Sequence, residues 1–430
     1  MKISSGNRGF VFHQPKLLFL FLTGILLNIS AGLQAQNAQW RGLHRDGIYQ
    51  ETALLKIWPE NGPDILFTTE GLGKGFSSPV ATSERIYING NIDTTEYLSC
   101  LDMAGNILWQ KPYGRCWNQS YPEARCTPTV DNNRVYVITG MDRLVCFDAL
   151  NGVELWSVDI HEKYKSEWDM FGVSESILLV DDKLILTPAG PLTTVIALNK
   201  ENGELIWQSK ILEAHRSNIS PQVIDHCGKK YIITATQTHL LGVDALTGEI
   251  LWTYHYNFLD QNNDNSTIFT NTPVYKESCL WLSDGWEVKS VMLEISPDGK
   301  SVVEKFADQT FDNQNFGVVL VNGFLYGSNF TGRQTGKWVC MNWDTGEIVW
   351  IGDFHNNKGP IIYADGMLYI IEEKRGNVAL VNATSKDFEI VSTFRMDAGT
   401  GPYWAHPGIY NGMLLIRHGE VLRAFNIKQK

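Results

Sequence analysis

The stretch VDALTGEILW, Val243–Trp252, decides the fold because it keeps returning. FDALNGVELW fills Phe147–Trp156, LDMAGNILW fills Leu101–Trp109, and MNWDTGEIVW fills Met341–Trp350. In each, an apolar strand ends at an Asp or Asn whose side-chain oxygen is suited to accept from the next backbone N–H groups. A Gly then supplies the positive φ of a tight hairpin, and a second strand places a Trp on one face. The phrase is therefore a strand, a fixed turn and a strand with a large aromatic anchor.

Anchors in this position are Phe67, Trp109, Trp156, Trp207, Trp252, Phe306, Trp350 and Phe394, at intervals of 42, 47, 51, 45, 54, 44 and 44 residues. The five Trp anchors, Trp109, Trp156, Trp207, Trp252 and Trp350, are expected in the core. Each unit also opens alike: SSPV, CTPTV, ISPQV, NTPVY, GPII and HPGIY put a Pro beside the start of a strand, where its missing N–H does least harm. β-Branched and aromatic runs such as RVYVITG and KYIITA follow. Repeats of this length with four strands each predict propeller blades, whose radial closure removes exposed sheet edges.

The ends specify the closure. After HPGIY the chain offers two more strands, MLLIR and EVLRAFN, and stops where a Trp strand should begin. The missing outer strand is found near the other end, in WPENGPDILFTT around Asp64 to Thr68. The expectation is an all-β, eight-bladed propeller of four-stranded antiparallel blades over 36–430, its ring closed by an N-terminal strand joining the C-terminal blade.

With 36 Lys+Arg against 47 Asp+Glu, the chain is acidic, which disfavours a nucleic-acid partner and leaves no polybasic membrane patch. Residues 1–35 carry Lys2, Arg8 and Lys16, then the apolar run LLFLFLTGILLNI, then AGLQA. That run is too short to span a bilayer and is read as a secretory signal cleaved after Ala35. Its removal would take the net charge from −11 to −14. No transmembrane segment is expected, and the first Cys, Cys100, is far from the cleavage site, so no lipid anchor is expected either. The predicted product is periplasmic, soluble and monomeric. Of the seven Cys, Cys100, Cys146 and Cys340 hold one repeat position and read as packing residues, while Cys116 and Cys126 flank one loop and are the one pair suggested as a disulfide.

The Asp-x-x-Thr-Gly-x-x-x-Trp phrase, over almost the whole mature chain, resembles the pyrroloquinoline-quinone-type β-propeller repeat. That repeat occurs in quinoprotein alcohol dehydrogenases and in the scaffold lipoprotein of the outer-membrane β-barrel assembly machine. The match is strong at Asp148/Gly152/Trp156 and at Asp244/Thr247/Gly248/Trp252, and weak near Phe306 and Phe394. One repeat core supports unrelated functions, so the resemblance implies the fold more firmly than the activity.

In a propeller the loops leading into the first strand of each blade gather at one mouth of the central channel. Here they carry Lys74 and Phe76; Tyr121, Glu123 and Arg125; Trp168 and Asp169; His215, Arg216 and Asn218; Asn271; Gln314 and Asn315; Lys358; and Tyr403, Trp404 and His406. Such groups converging on one mouth would form a binding cleft. The expected ligand-binding set is Glu123, Arg125, Trp168, Arg216, Asn218, Lys358 and Trp404, with Trp168 and Trp404 stacking on a flat ligand. Two polar stretches, Phe258 to Thr267 and Ser328 to Trp338, are candidate contact loops.

The leading expectation is a non-catalytic propeller that binds an envelope protein or a carbohydrate at this mouth. A carbohydrate lyase would use Tyr403, His406, His215 or Asp169 as base, with Arg125, Arg216 or Lys358 neutralising a uronate. A quinoprotein dehydrogenase, as the resemblance implies, would need pyrroloquinoline quinone, calcium and an Asp base, with Asp169 nearest to that role. It would also need an adjacent Cys-Cys pair, and no two Cys are adjacent here. No cofactor is therefore predicted, and no metal motif, phosphate loop or nucleophile elbow is present in the sequence.

Overall fold

The Asp and Gly of the repeated phrase act as their chemistry requires. Asp244 Oδ1 accepts from the backbone N–H of Leu246 and Thr247 at 2.8 and 2.9 Å, and Gly248 turns the chain at φ +79. Asp148 and Asn342 hold their turns in the same way. The computed structural model describes residues 1, 2, 6, 38–168, 170–256, 269–332 and 335–429. Asp169, the stretch from Phe258 to Thr267 and nearly all of the expected signal segment lie outside the described residues.

Eight four-stranded antiparallel sheets follow in chain order, each starting at its innermost strand. Blade 1 begins at Val80–Ala81, blade 2 at Thr129–Asp131, blade 3 at Leu178–Val180 and blade 4 at Gln222–His226. Blade 5 begins at Val274–Lys276, blade 6 at Val319–Val321, blade 7 at Ile361–Ala364 and blade 8 at Gly408–Tyr410. The outer strand of blade 8 is Ile65–Thr69, paired antiparallel with Val421–Asn426. The ring is thus closed by the N-terminal strand read from the sequence. One short helix, Ile160–Tyr164, N-capped by Asp159, links blades 2 and 3.

The spacing of the anchors has a packing cause. The turn Gly of each of several blades lies against the anchor of the blade before it. A Cβ built on Gly152 would meet the Trp109 ring at 2.7 Å, on Gly203 the Trp156 ring at 2.8 Å and on Gly248 the Trp207 ring at 2.4 Å. Gly105 lies likewise on Phe67, and Gly346 on Phe306. The indole N–H of Trp109, Trp207 and Trp350 donates to a carbonyl of the next blade's turn, at 3.2, 3.3 and 2.9 Å. In all eight blades the pairing of the third and fourth strands slips just before the anchor, as between Cys100↔Trp109 and Leu101↔Ile107. Such a bulge increases local twist and re-aims the side chain that follows.

Cys100, Cys146 and Cys340 are fully buried beneath these anchors. The suggested bridge between Cys116 and Cys126 is not formed: both are free thiols, and Cys126 donates to the Val173 carbonyl at 3.4 Å from within the core shared by blades 2 and 3. In the stretch from Ser328 to Trp338, of which residues 333 and 334 lie outside the described residues, Asn329 N–H donates to Lys337 O at 2.8 Å and Trp338 is buried in the core.

A feature without a repeat pattern occupies the centre. Residues 38–49 touch the inner strands of distant blades in turn. Ala38 bridges Val130 in blade 2, and Arg45 donates to the Ser176 and Ile177 carbonyls at 2.7 and 2.9 Å beside blade 3. Arg41 donates to Val318 O at 2.6 Å beside blade 6, and Ile48–Tyr49 adds a parallel fifth strand to the inner edge of blade 7. The Tyr49 hydroxyl reaches Pro407 O at 3.3 Å beside blade 8. This segment bridges inner strands on opposite sides of the ring.

Candidate functional site

Above the segment a cavity of about 360 Å³ opens at the mouth of the channel, and all eight blades contribute to its wall. Trp40 lines it, with the guanidinium carbons of Arg41 and Arg45 each 5.6 Å from its ring centroid. Phe76 from blade 1 meets Trp404 from blade 8 at 4.8 Å, and Trp404 meets Tyr121 from blade 2 at 5.2 Å. Phe171 and Trp286 complete an aromatic lining of six among seventeen residues, about three times the aromatic share of the whole chain. Between the rings stand Ser174, Ser176, Asn218, Ser220, Thr270, Gln314 and Asn315.

The ionisable groups at the wall are engaged with one another. Lys358 Nζ lies 2.5 Å from Glu373 Oε1, and Glu373 Oε2 also accepts from the Trp404 indole N–H at 3.0 Å. Burial pulls the Lys358 ammonium down from its ordinary value, against the opposing pull of Glu373. Arg125 donates to the carbonyls of Ser120, Tyr121 and Phe171. His406 is 5% exposed and its Nε2 lies 2.8 Å from Phe316 O, which can only accept, so Nε2 carries the proton. Burial, with Arg41 nearby, pushes its pKa down to about 3.

Of the residues expected at the mouth, the structure brings Arg125, Asn218, Lys358, Trp404 and His406 to the cavity, together with Phe76, Tyr121, Gln314 and Asn315. It holds others elsewhere. Arg216, 1% exposed, donates to Asp142 and Glu175, each at 2.7 Å, and so ties the loops of blades 2, 3 and 4 together. Tyr403 stacks on His418 at 3.6 Å and donates to Met396 O, with burial pushing its phenol up to about 12. Trp168 stacks on His161 at 4.0 Å and meets Trp117 edge-on, against the core of blades 2 and 3. His215 is exposed and paired with Glu167, and Glu123 is half-buried on the blade 2 loop without lining the cavity.

Trp40, Phe171, Trp286 and Glu373 were not singled out from sequence. Trp40 carried a usable signal: it lies next to Arg41 and five residues from a second Arg, in a stretch outside the repeats, where burial of such residues needs a specific host.

The quinone-and-calcium expectation can be tested on the donor set. Calcium takes six to eight oxygen ligands, mostly carboxylate and carbonyl. Among the described residues Glu373 is the one carboxylate lining the cavity, and both of its oxygens are already taken by Lys358 and Trp404. No cluster of three or more His, Cys, Asp or Glu suited to a metal ion occurs among the described residues. The residues present do not fit that pair of groups.

A family model described as outer membrane protein assembly factor BamB matches residues 94–284. The assembly factor BamB of Moranella endobia (strain PCIT) is 23% identical over 266 residues, covering 59% of this chain. That match spans 63% of the relative, less than two thirds of its length. BamB from Moraxella catarrhalis superposes with a TM-score of 0.61 at 14% identity, covering 85% of this chain and 99% of that one. The quinohemoprotein alcohol dehydrogenase from Comamonas testosteroni superposes with a TM-score of 0.67 at 12% identity, covering 92% and 81%. These two likenesses show a shared fold.

Proposed function

We propose, for a chain that is a pyrroloquinoline-quinone-like β-propeller similar to BamB, a non-catalytic binding role in the cell envelope, with the mouth of the channel as the binding face. One observation carries the reading: aromatic rings, amides and hydroxyls converge on one cavity, while its acid–base groups are consumed by internal contacts. A general base works best with a pKa near the operating pH. His406, held near 3, is too weak a base at neutral pH, and the Tyr403 phenol is stacked away from the cavity. The similarity to BamB, named as an assembly factor of the outer membrane, supports an exported scaffold working in the periplasm.

The test places a photo-crosslinking amino acid at Tyr121, on the rim, and separately at Leu246, which is 77% exposed on a blade turn of the opposite face. In intact cells a discrete adduct is expected from position 121 and none from 246. Equal adducts from both, or none from either, would sink the assignment of the binding face. Thermal stabilisation by pyrroloquinoline quinone with calcium would overturn the non-catalytic reading.

A further inference from the structure

We propose that the mouth cavity is a saccharide site for a neutral sugar, with Trp40 as its stacking floor and Trp404 as its wall. The proposal rests on the mouth being a binding face and names what it takes. Its volume, about 360 Å³, lies at the small end of ligand pockets, ~300–1,000 Å³. A pyranose ring has two chemistries: flat faces of C–H groups, and a rim of hydroxyls that each donate and accept. The cavity offers a complement to both. Trp40, Trp404, Phe76 and Trp286 are partly exposed rings set around it, with Phe76 and Trp404 inclined at 49° to each other. Asn315 and Gln314, beside the seryl and threonyl hydroxyls, supply groups that pair with a hydroxyl in either sense.

Charge narrows the class. Lys358 and Glu373 cancel at 2.5 Å, His406 is neutral, and the Arg125 donors are taken up by carbonyls. An amino sugar would meet Glu373 already paired with Lys358, and a uronate would meet Arg125 with its donors committed to three carbonyls, so among the described residues either charge would be buried without a new charge-assisted hydrogen bond, which is costly. A peptide held by strand addition needs an unpaired strand edge. The inner edge of blade 7 is already taken by Ile48–Tyr49.

The floor is fixed before any ligand arrives. Trp40 is held by two guanidiniums, each 5.6 Å from its ring centroid, whose own donors are anchored to Val318 O, Ser176 O and Ile177 O at 2.6 to 2.9 Å. A ring already held in place costs little to order on binding, and preorganisation of this kind raises affinity.

The experiment titrates the full chain with cellotriose, maltotriose and triacetylchitotriose, reading tryptophan fluorescence and calorimetric heat, with trigalacturonate and chitotriose as anionic and cationic counterparts. Saturable binding of at least one neutral trimer is expected, weakened about tenfold by Trp404→Ala, the scale of one lost aromatic contact. Trp40→Phe, which keeps a ring beside the two arginines, is expected to weaken the same trimer with the melting temperature retained. No neutral trimer bound at millimolar concentration, binding confined to a charged trimer, or unchanged affinity in Trp404→Ala would each overturn the proposal. If sugars fail while position 121 still yields its discrete adduct, the saccharide assignment falls and the binding face stands. If both fail, both fall.

Discussion

Gly248 meets two demands at once, since its φ of +79 excludes most side chains and its face touches the Trp207 ring. Gly248→Ala therefore adds a clash to backbone strain and is expected to cost more than about 2 kcal/mol by chemical denaturation. Gly71, at φ +78 with open space around it, bears the backbone cost alone, and Gly71→Ala should cost about 1 kcal/mol. Equal losses would mean that the ring contact adds nothing. Glu96 makes a second prediction at this scale. It is buried, accepts from Gly140 N–H and from the Tyr113 hydroxyl, and desolvation raises its pKa from 4.5 to about 7. The folded state then holds the proton more tightly than the unfolded chain, so its contribution is present below pH 4.5 and is lost as pH rises through 7. Wild type should lose up to about 3 kcal/mol relative to Glu96→Gln between pH 4.5 and 7.5, at about 1.4 kcal/mol per pK unit. The difference between the two proteins is the proper readout, because His406, pushed down to about 3, drives stability the opposite way below pH 6.5. A constant difference across that range would show that Glu96 is not shifted.

Among the elements, the loops that lead into blades owe their shape to buried polar ties more than to their own sequence. Arg216 holds Asp142 and Glu175 with all three groups 1% exposed or less. Removing one member of such a group leaves uncompensated charge, so Arg216→Ala is expected to cost about 3–5 kcal/mol in urea unfolding. A loss below 1 kcal/mol would show that the loops of blades 2 to 4 are held by other contacts. These ties also explain what could be read from sequence. The blades were legible because one turn chemistry and one anchor recur at each, and periodicity encodes strand and face directly. The loops were legible in content and not in direction. Nothing local distinguishes Arg125, which reaches the cavity, from Arg216, which is drawn beneath it by carboxylates 41 and 74 residues away in the chain. Trp404 and Trp168 differ in the same way, since a neighbouring His161 claims the second ring.

For the whole molecule, the ring is one cooperative body only while its last joint holds. Arg423 Nε donates to Thr68 Oγ1 at 3.1 Å across that joint, and Phe67, the anchor of blade 8, lies under Gly105 of blade 1. Amide exchange over 65–69 is expected to be as slow as over 421–426, and Phe67→Ala should speed both together; acceleration of one strand alone would mean the joint opens without its partner. The central segment shows what this closure demands in time. Tyr49 finds Pro407 358 residues further along, and Ile48–Tyr49 finds its strand partner beyond residue 360. During synthesis the segment emerges before every blade it contacts, yet its seat is not complete until seven blades have been made. It must wait unfolded, its strand-forming residues open to the wrong neighbour, and the ends must then meet at a separation that makes folding slow. What ties the finished ring across its centre is thus also the clock of its assembly: residues made before every blade are the last to settle.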